Sequence, residues 1–156
     1  MATEIERRFR VKTDAWQGLA EGRAYRQGYI SVEAERTVRV RIVGEQAWLT
    51  LKSLISAVSR HEFEYEIPLA DAQHMLATMC PFVVEKQRYK IPIAGLVWEV
   101  DVFSGANQGL VLAEVELPSE DTPFTRPSWL GDEVTLDGRF TNAYLSKHPY
   151  PWDAAL

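Results

Sequence analysis

Acidic and basic side chains recur at every second position in several stretches of this chain, a pattern suited to holding a polyanion together with hard metal cations. Glu4 and Glu6 stand two apart, and Glu114 and Glu116 repeat the spacing near the other end. On a strand, residues i and i+2 share one face roughly 7 Å apart. Carboxylate oxygens so placed suit Mg²⁺ or Mn²⁺ rather than zinc, and no His/Cys cluster competes for a metal role. Arg39 and Arg41 form a basic pair, Lys86 and Arg88 another, and Lys52 joins them on a strand of its own. With Arg8 and Arg60, these groups can grip phosphate oxygens, arginine through its bidentate fork and lysine as a point charge.

Alternation by itself is what a half-exposed antiparallel sheet shows. Solvent faces, however, mix Thr, Ser, Gln and Lys, whereas here acid pairs and base pairs occupy separate strands, where like charges repel. The arrangement implies a ligand that neutralises both walls. A triphosphate with one or two metals balances these groups better than a monophosphate does. The implied reaction is phosphoryl transfer to water, which requires positioning and charge neutralisation more than covalent chemistry. Glu62 and Glu64, which share a face with Arg60, or else a second metal, would orient that water.

Strands must carry these side chains. Period-two alternation with Gly, Pro, Asp and Asn between segments predicts eight strands, near 3–11, 25–31, 35–43, 46–53, 59–68, 82–92, 96–104 and 110–117. Ala72, Met75, Leu76 and Met79 recur at helical spacing and predict a helix over 71–78. Further helices are expected within 13–21, where Asp14 would cap and Trp16 and Leu19 would pack, and around 142–146 before Pro149 and Pro151. A barrel of about eight strands has a bore suited to one small ligand. The predicted fold is therefore α+β and mainly antiparallel: a closed eight-stranded barrel with polar faces inward, first and last strands side by side, and helices over its apolar exterior.

At 156 residues the chain is expected to form one domain over 1–156, with a tail from about 149. The single cysteine, Cys80, excludes an internal disulfide framework and points to a reducing compartment, the cytoplasm. The charged start predicts no leader, and no apolar run is long enough to span a bilayer. A net charge of -5 argues against a nucleic-acid partner. No Gly-rich phosphate loop, nucleophile elbow or HExxH motif is present. His61, His74 and His148 are isolated and read as structural or surface residues. Trp48 shares parity with Lys52, for stacking at a tunnel mouth or for packing, while Trp16, Trp98 and Trp129 read as outer-layer packing.

Glu4-Ile5-Glu6-Arg7-Arg8-Phe9 resembles the ExExK signature of the CYTH, or triphosphate tunnel metalloenzyme, superfamily. Arg39-Val40-Arg41, Thr50-Leu51-Lys52, Glu85-Lys86-Gln87-Arg88-Tyr89, Glu99-Val100-Asp101-Val102-Phe103, Glu114-Val115-Glu116 and Asp137-Gly138-Arg139-Phe140-Thr141-Asn142 follow in that family's order. The resemblance implies an eight-stranded tunnel with Mg²⁺ or Mn²⁺ at Glu4, Glu6, Glu114, Glu116 and Asp101. It implies a triphosphate along Arg8, Arg39, Arg41, Lys52, Arg60, Lys86 and Arg88, with Arg139 either a terminal phosphate contact or a helix-start charge. Known members are inorganic tripolyphosphatases, thiamine triphosphatases, class IV adenylate cyclases and RNA triphosphatases. Short connections leave little room for base recognition, so hydrolysis of tripolyphosphate to pyrophosphate and phosphate is the expected activity. Adenylate cyclase and thiamine triphosphatase are the enzymatic alternatives, and a non-hydrolytic polyphosphate or nucleotide sensor is the alternative of another class. The signature's final lysine is Arg8 here; Glu62, Glu64 and Arg8 form the expected catalytic set. A small triphosphate is the expected partner, with neither membrane nor nucleic acid, and a homodimer is left open.

Overall fold

The computed structural model describes residues 2–33 and 35–151. Nine strands run in chain order: β1 (Ala2–Val11), β2 (Gly22–Glu33), β3 (Arg36–Val43), β4 (Gln46–Leu54), β5 (Ser59–Ile67), β6 (Val83–Ile93), β7 (Leu96–Ser104), β8 (Val111–Glu116) and β9 (Leu130–Glu133). Helix α1 (Leu69–Thr78) follows β5, and α2 (Asn142–Lys147) follows a single 3₁₀ turn at Gly138–Phe140. Eight strands close a ring, β1-β5-β4-β3-β2-β6-β7-β8 and back to β1, as the alternation predicts. Strand β1 makes the closure. One of its edges pairs residues 6–10 with β8; the other is divided between β5, at residues 2–5, and β9, at residues 9 and 11.

The ring is polar inside and apolar outside. Phe9, Trp98, Val100, Ala113 and Val115 form an outer-face cluster on β1, β7 and β8, covered by Trp16, Trp129 and Leu130 from the flanking segments. Trp98 meets Phe9, Phe124 and Trp129 edge-on or tilted at 5.6–6.1 Å between centroids. Burying each such side chain contributes about 1.5–3 kcal/mol. On the opposite wall, α1 lays Ala72 and Leu76 over Val40 and Ala47. It comes so close to β2 that a Cβ on Gly28 would sit 2.8 Å from Leu76 Cδ2, and 2.7 Å from the Cβ of Cys80 just beyond the helix. At one end the inward-facing positions themselves become apolar. Val84, Phe103 and Leu112 continue the inner faces of β6, β7 and β8, and pack with Leu110, Phe140 and Leu145. Phe140 and α2 thereby fill that end of the bore beneath the charged belt.

Two expectations are corrected, and a third lies largely outside the described residues. Residues 13–21 form turns rather than a helix, because Gly18 takes a left-handed φ of 82° that breaks the helical path. Trp16 still packs, 5.0 Å from the Tyr89 ring, but Leu19 is exposed. The short strand β9 has no counterpart in the alternation; Gly131 lets it lie against the Arg10 backbone, where a Cβ would come to 3.3 Å from the carbonyl oxygen. Of the expected tail, residues 152–156 lie outside the described residues.

Candidate active site

The inner faces enclose a cavity of about 920 Å³. Its acidic wall is built where β1 meets β8 and β5: register sets Glu6 opposite Glu116 and Arg8 opposite Glu114. Arg8 bridges the cluster, donating from Nη2 to Glu6 at 2.7 Å and from Nε to Glu114 at 3.2 Å. Lys52 Nζ donates to Glu4 at 2.8 Å and stands 3.7 Å from Glu62. These counter-ions do not satisfy every carboxylate. Burial, and then the charges of Glu114 and Glu4, push Glu6 up to about 7. Burial and the Glu4 charge push Glu62 up to about 7 as well. Glu116 is raised by burial and by Glu4 and Glu99. Burial opposes ionisation of Glu114, but Arg8, Arg88 and Lys86 outweigh it and hold that carboxyl far below its usual range.

The facing wall has the opposite imbalance. Arg39 donates from Nη2 to Thr50 at 3.3 Å and lies 3.7 Å from Glu64, yet its Nε is buried with no hydrogen-bond partner. Arg41 donates from Nε to Gln27 at 2.8 Å, and no carboxylate among the described residues pairs with it. Burial, reinforced by Arg39 and Arg88, pushes Arg41 down to about 9. An added anion beside these clustered guanidiniums would offset their mutual repulsion. Tyr25 lies under both Arg41 and Arg88, each 5.0 Å from its ring centre.

Most of the residues singled out in the sequence line this cavity: Glu4, Glu6, Arg8, Arg39, Arg41, Lys52, Arg60, Glu62, Glu64, Arg88, Glu114, Glu116 and Arg139. Two do not. Asp101, expected among metal ligands, is buried with one oxygen taken by Arg88 Nε at 2.8 Å and the other by Lys86 at 2.7 Å and Arg88 Nη2 at 2.9 Å. Lys86, expected on substrate, is fully buried between Asp101 and Asn142 Oδ1, the latter at 2.9 Å. Burial and Arg88 push Lys86 down to about 7. Both residues form a floor behind the cavity instead of its surface. Arg139 donates to Asp137 from Nη2 at 2.7 Å. Trp48 is half-buried opposite Arg41 and is not among the lining residues.

Sequence reasoning missed the uncharged members. Tyr25 and Tyr29 share β2's inner parity, a signal that was available; Thr50 and Asn142 stood in the quoted motifs without a role, and Gln27, buried behind the lining, carries no charge to mark it. His148, expected to be a structural or surface residue, is exposed but sits on the cavity rim, its ring 4.4 Å from that of Tyr144.

A closed ring of eight antiparallel strands, with acids and bases sorted to facing walls of its bore, defines a class of charge-lined tunnel proteins. The chain belongs to the CYTH domain family, which matches residues 2–146. It is 48% identical over 151 residues to an inorganic triphosphatase of Acetivibrio thermocellus, covering 96% of this chain and 97% of that one. An inorganic triphosphatase of Nitrosomonas europaea is 38% identical over 149 residues, covering 92% and 97%. A crystal structure of an inorganic triphosphatase superposes with a TM-score of 0.68 at 36% identity, over 94% and 95% of the two chains. A putative adenylate cyclase of Bacillus halodurans shares the fold, with a TM-score of 0.64 over 77% of this chain and 84% of that one, at 17% identity. Among the described residues no helix is long and apolar enough to cross a membrane.

Proposed function

We propose that this protein hydrolyses inorganic tripolyphosphate to pyrophosphate and phosphate, with Mg²⁺ or Mn²⁺ bound at the glutamate wall. The observation that carries the reading is the complementary imbalance of the bore: Arg39 Nε has no partner and Arg41 is bonded to the Gln27 amide, so one wall calls for an anion, while Glu6 and Glu116 face each other across the β1–β8 pair and call for a cation. Among the described residues no three acidic, His or Cys side chains converge closely enough to chelate a metal alone. The donor set still fits magnesium, which uses one or two carboxylates and completes its shell with waters and substrate phosphate oxygens. Glu6 and Glu116, directly opposed, are the proposed ligands, with Glu4 and Glu114 beside them. A bound divalent cation would neutralise charge developing on the phosphate oxygens.

The chain's own residues then divide the work. Arg39, Arg41 and Arg88, with Lys52 and Arg60, hold the phosphate chain and its charge, the main requirement of phosphoryl transfer. Glu62, half-buried and shifted to about 7, orients the attacking water and accepts its proton, with Glu64 beside it. Arg8 acts as counter-ion to Glu6 and Glu114, a role in which permanent charge serves better than a titratable lysine. The buried thiol of Cys80 fits a reducing compartment, and the cytoplasm is the proposed location.

The test is a hydrolysis panel with Mg²⁺ and Mn²⁺ against tripolyphosphate, ATP and thiamine triphosphate. Equimolar phosphate and pyrophosphate from tripolyphosphate, above the rates with the other two, is the expected result. Pyrophosphate with a cyclic nucleotide from ATP would make the protein a cyclase instead. Binding of tripolyphosphate without turnover would make it a sensor.

A further inference from the structure

Gln27 lies in the middle of β2 and is completely buried, directly across the β2–β3 pair from Arg41. Its amide uses both ends. Oε1 accepts from Arg41 Nε at 2.8 Å, while Nε2 donates to the Tyr29 hydroxyl at 3.1 Å and to Asn142 Oδ1 at 3.3 Å. The same Asn142 oxygen accepts from Lys86 Nζ at 2.9 Å. Asn142 is the first residue of α2, the helix that fills one end of the bore. A continuous chain of hydrogen bonds therefore runs from α2, through one buried amide, to an arginine of the cavity wall.

The chemistry of the position is restrictive. It must accept a charge-assisted bond from a guanidinium and donate to two oxygens, which only an amide of this length does. A carboxylate could accept but not donate, and would neutralise the arginine; an aliphatic side chain could do neither. With Nε fixed by Gln27, Arg41 keeps its Nη groups for an anion, and rotation of the guanidinium is restrained before any ligand arrives.

We propose that Gln27 is a positioning residue for substrate: it orients Arg41 for the phosphate chain and couples that orientation to the docking of α2 through Asn142. This rests on the proposed tripolyphosphatase reading, in that Arg41 contacts the anion. Gln27, completely buried, touches no substrate; it acts only through Arg41.

The test is a double-mutant cycle with Gln27→Met and Arg41→Ala, reading KM and kcat with tripolyphosphate and Mg²⁺, and tripolyphosphate binding by calorimetry in the absence of metal. Losing one charge-assisted hydrogen bond that orients a ligand-binding group corresponds to roughly tenfold to a hundredfold weaker binding. Gln27→Met is expected to raise KM and weaken metal-free binding by that factor, with a smaller change in kcat. In the Arg41→Ala background the same substitution is expected to change neither. Asn142→Ala, at a half-buried site, provides a second variant should Gln27→Met fail to fold by circular dichroism; it is expected to shift KM in the same direction, and that shift too should vanish without Arg41. An equal loss in both backgrounds would assign Gln27 a merely structural role and overturn the proposal. Unchanged binding in Gln27→Met or Asn142→Ala would also overturn it while leaving the triphosphatase reading intact. Wild-type protein that neither binds nor turns over tripolyphosphate would overturn both.

Discussion

Arg8 is the residue on which the acidic wall depends, because its one buried guanidinium holds two carboxylates, half-buried Glu6 and buried Glu114. Removing a buried partner leaves uncompensated charge, at a cost of about 3–5 kcal/mol. Arg8→Ala is expected to lower stability by that amount in urea denaturation, whereas Arg8→Lys, which keeps the charge but loses the fork, should lose less than half as much. An Arg8→Ala protein as stable as wild type would show that the cluster does not need this counter-ion. Glu6→Gln tests the other side of the pair: metal-dependent phosphate release should fall on the order of a hundredfold or more, as for loss of one charge-stabilising group in a preorganised site. An unchanged rate in the folded Glu6→Gln protein would remove Glu6 from the machinery. At this scale the charged residues were legible from parity alone, since i and i+2 share a face whatever the register. Their partners were not. Asp101 and Glu114 look alike in sequence, yet both oxygens of Asp101 are taken by Arg88 and Lys86 behind the cavity, while Glu114 accepts from Arg8 through one oxygen and lines it. Gln27 carries no signal of its own, because a neutral amide becomes functional only through what it touches.

The elements were legible where pattern and burial agree. Strands with one polar and one apolar face must alternate, so all eight ring strands show in the sequence; α1 shows because Ala72 and Leu76 cover Val40 and Ala47 at helical spacing. The segment 13–21 misled because Trp16 and Leu19 suggest a helix face, whereas only Trp16 finds a core position. Strand β9 spans four residues and pairs with β1 across a register shift, too short a run to leave a period. The packing of α1 on β2 yields a prediction at this scale. A methyl group on Gly28 would lie 2.7 Å from Cys80 Cβ and 2.8 Å from Leu76 Cδ2, so the helix must shift outward. Gly28→Ala is expected to lose about 1–3 kcal/mol, the usual cost of overpacking, despite its better intrinsic conformational entropy. A thermal melt at or above wild type would show that α1 yields freely.

The whole molecule holds its charges in a balance that pH should expose when metal and substrate are removed. Glu6 and Glu62 titrate near 7 in the folded protein against an ordinary 4.5, so between those values the native state binds more protons than the unfolded chain. Stability must therefore fall as pH rises from about 4.5 to 7. Lys86 is shifted the other way, from 10.5 to about 7, so above pH 7 the unfolded chain binds the extra proton and stability rises again toward 10.5. Below 4.5 the lowered carboxyls of Glu114 and Asp101 take over, and their contribution is lost as acid protonates them. Metal-free protein is thus expected to show a minimum in Tm near neutral pH, flanked by higher values near pH 5 and pH 9. Glu6→Gln should make the descending arm shallower, since it removes one of the two carboxyls that produce it. Mg²⁺ with tripolyphosphate should fill the minimum, because ligands that bind only the native state stabilise it by mass action and satisfy both walls at once. Thermal melts across pH 4–10, with and without these ligands, measure the effect. A metal-free Tm that is flat or highest at pH 7 would mean that the two walls already neutralise each other, and that the bore has no standing demand for an anion and a cation.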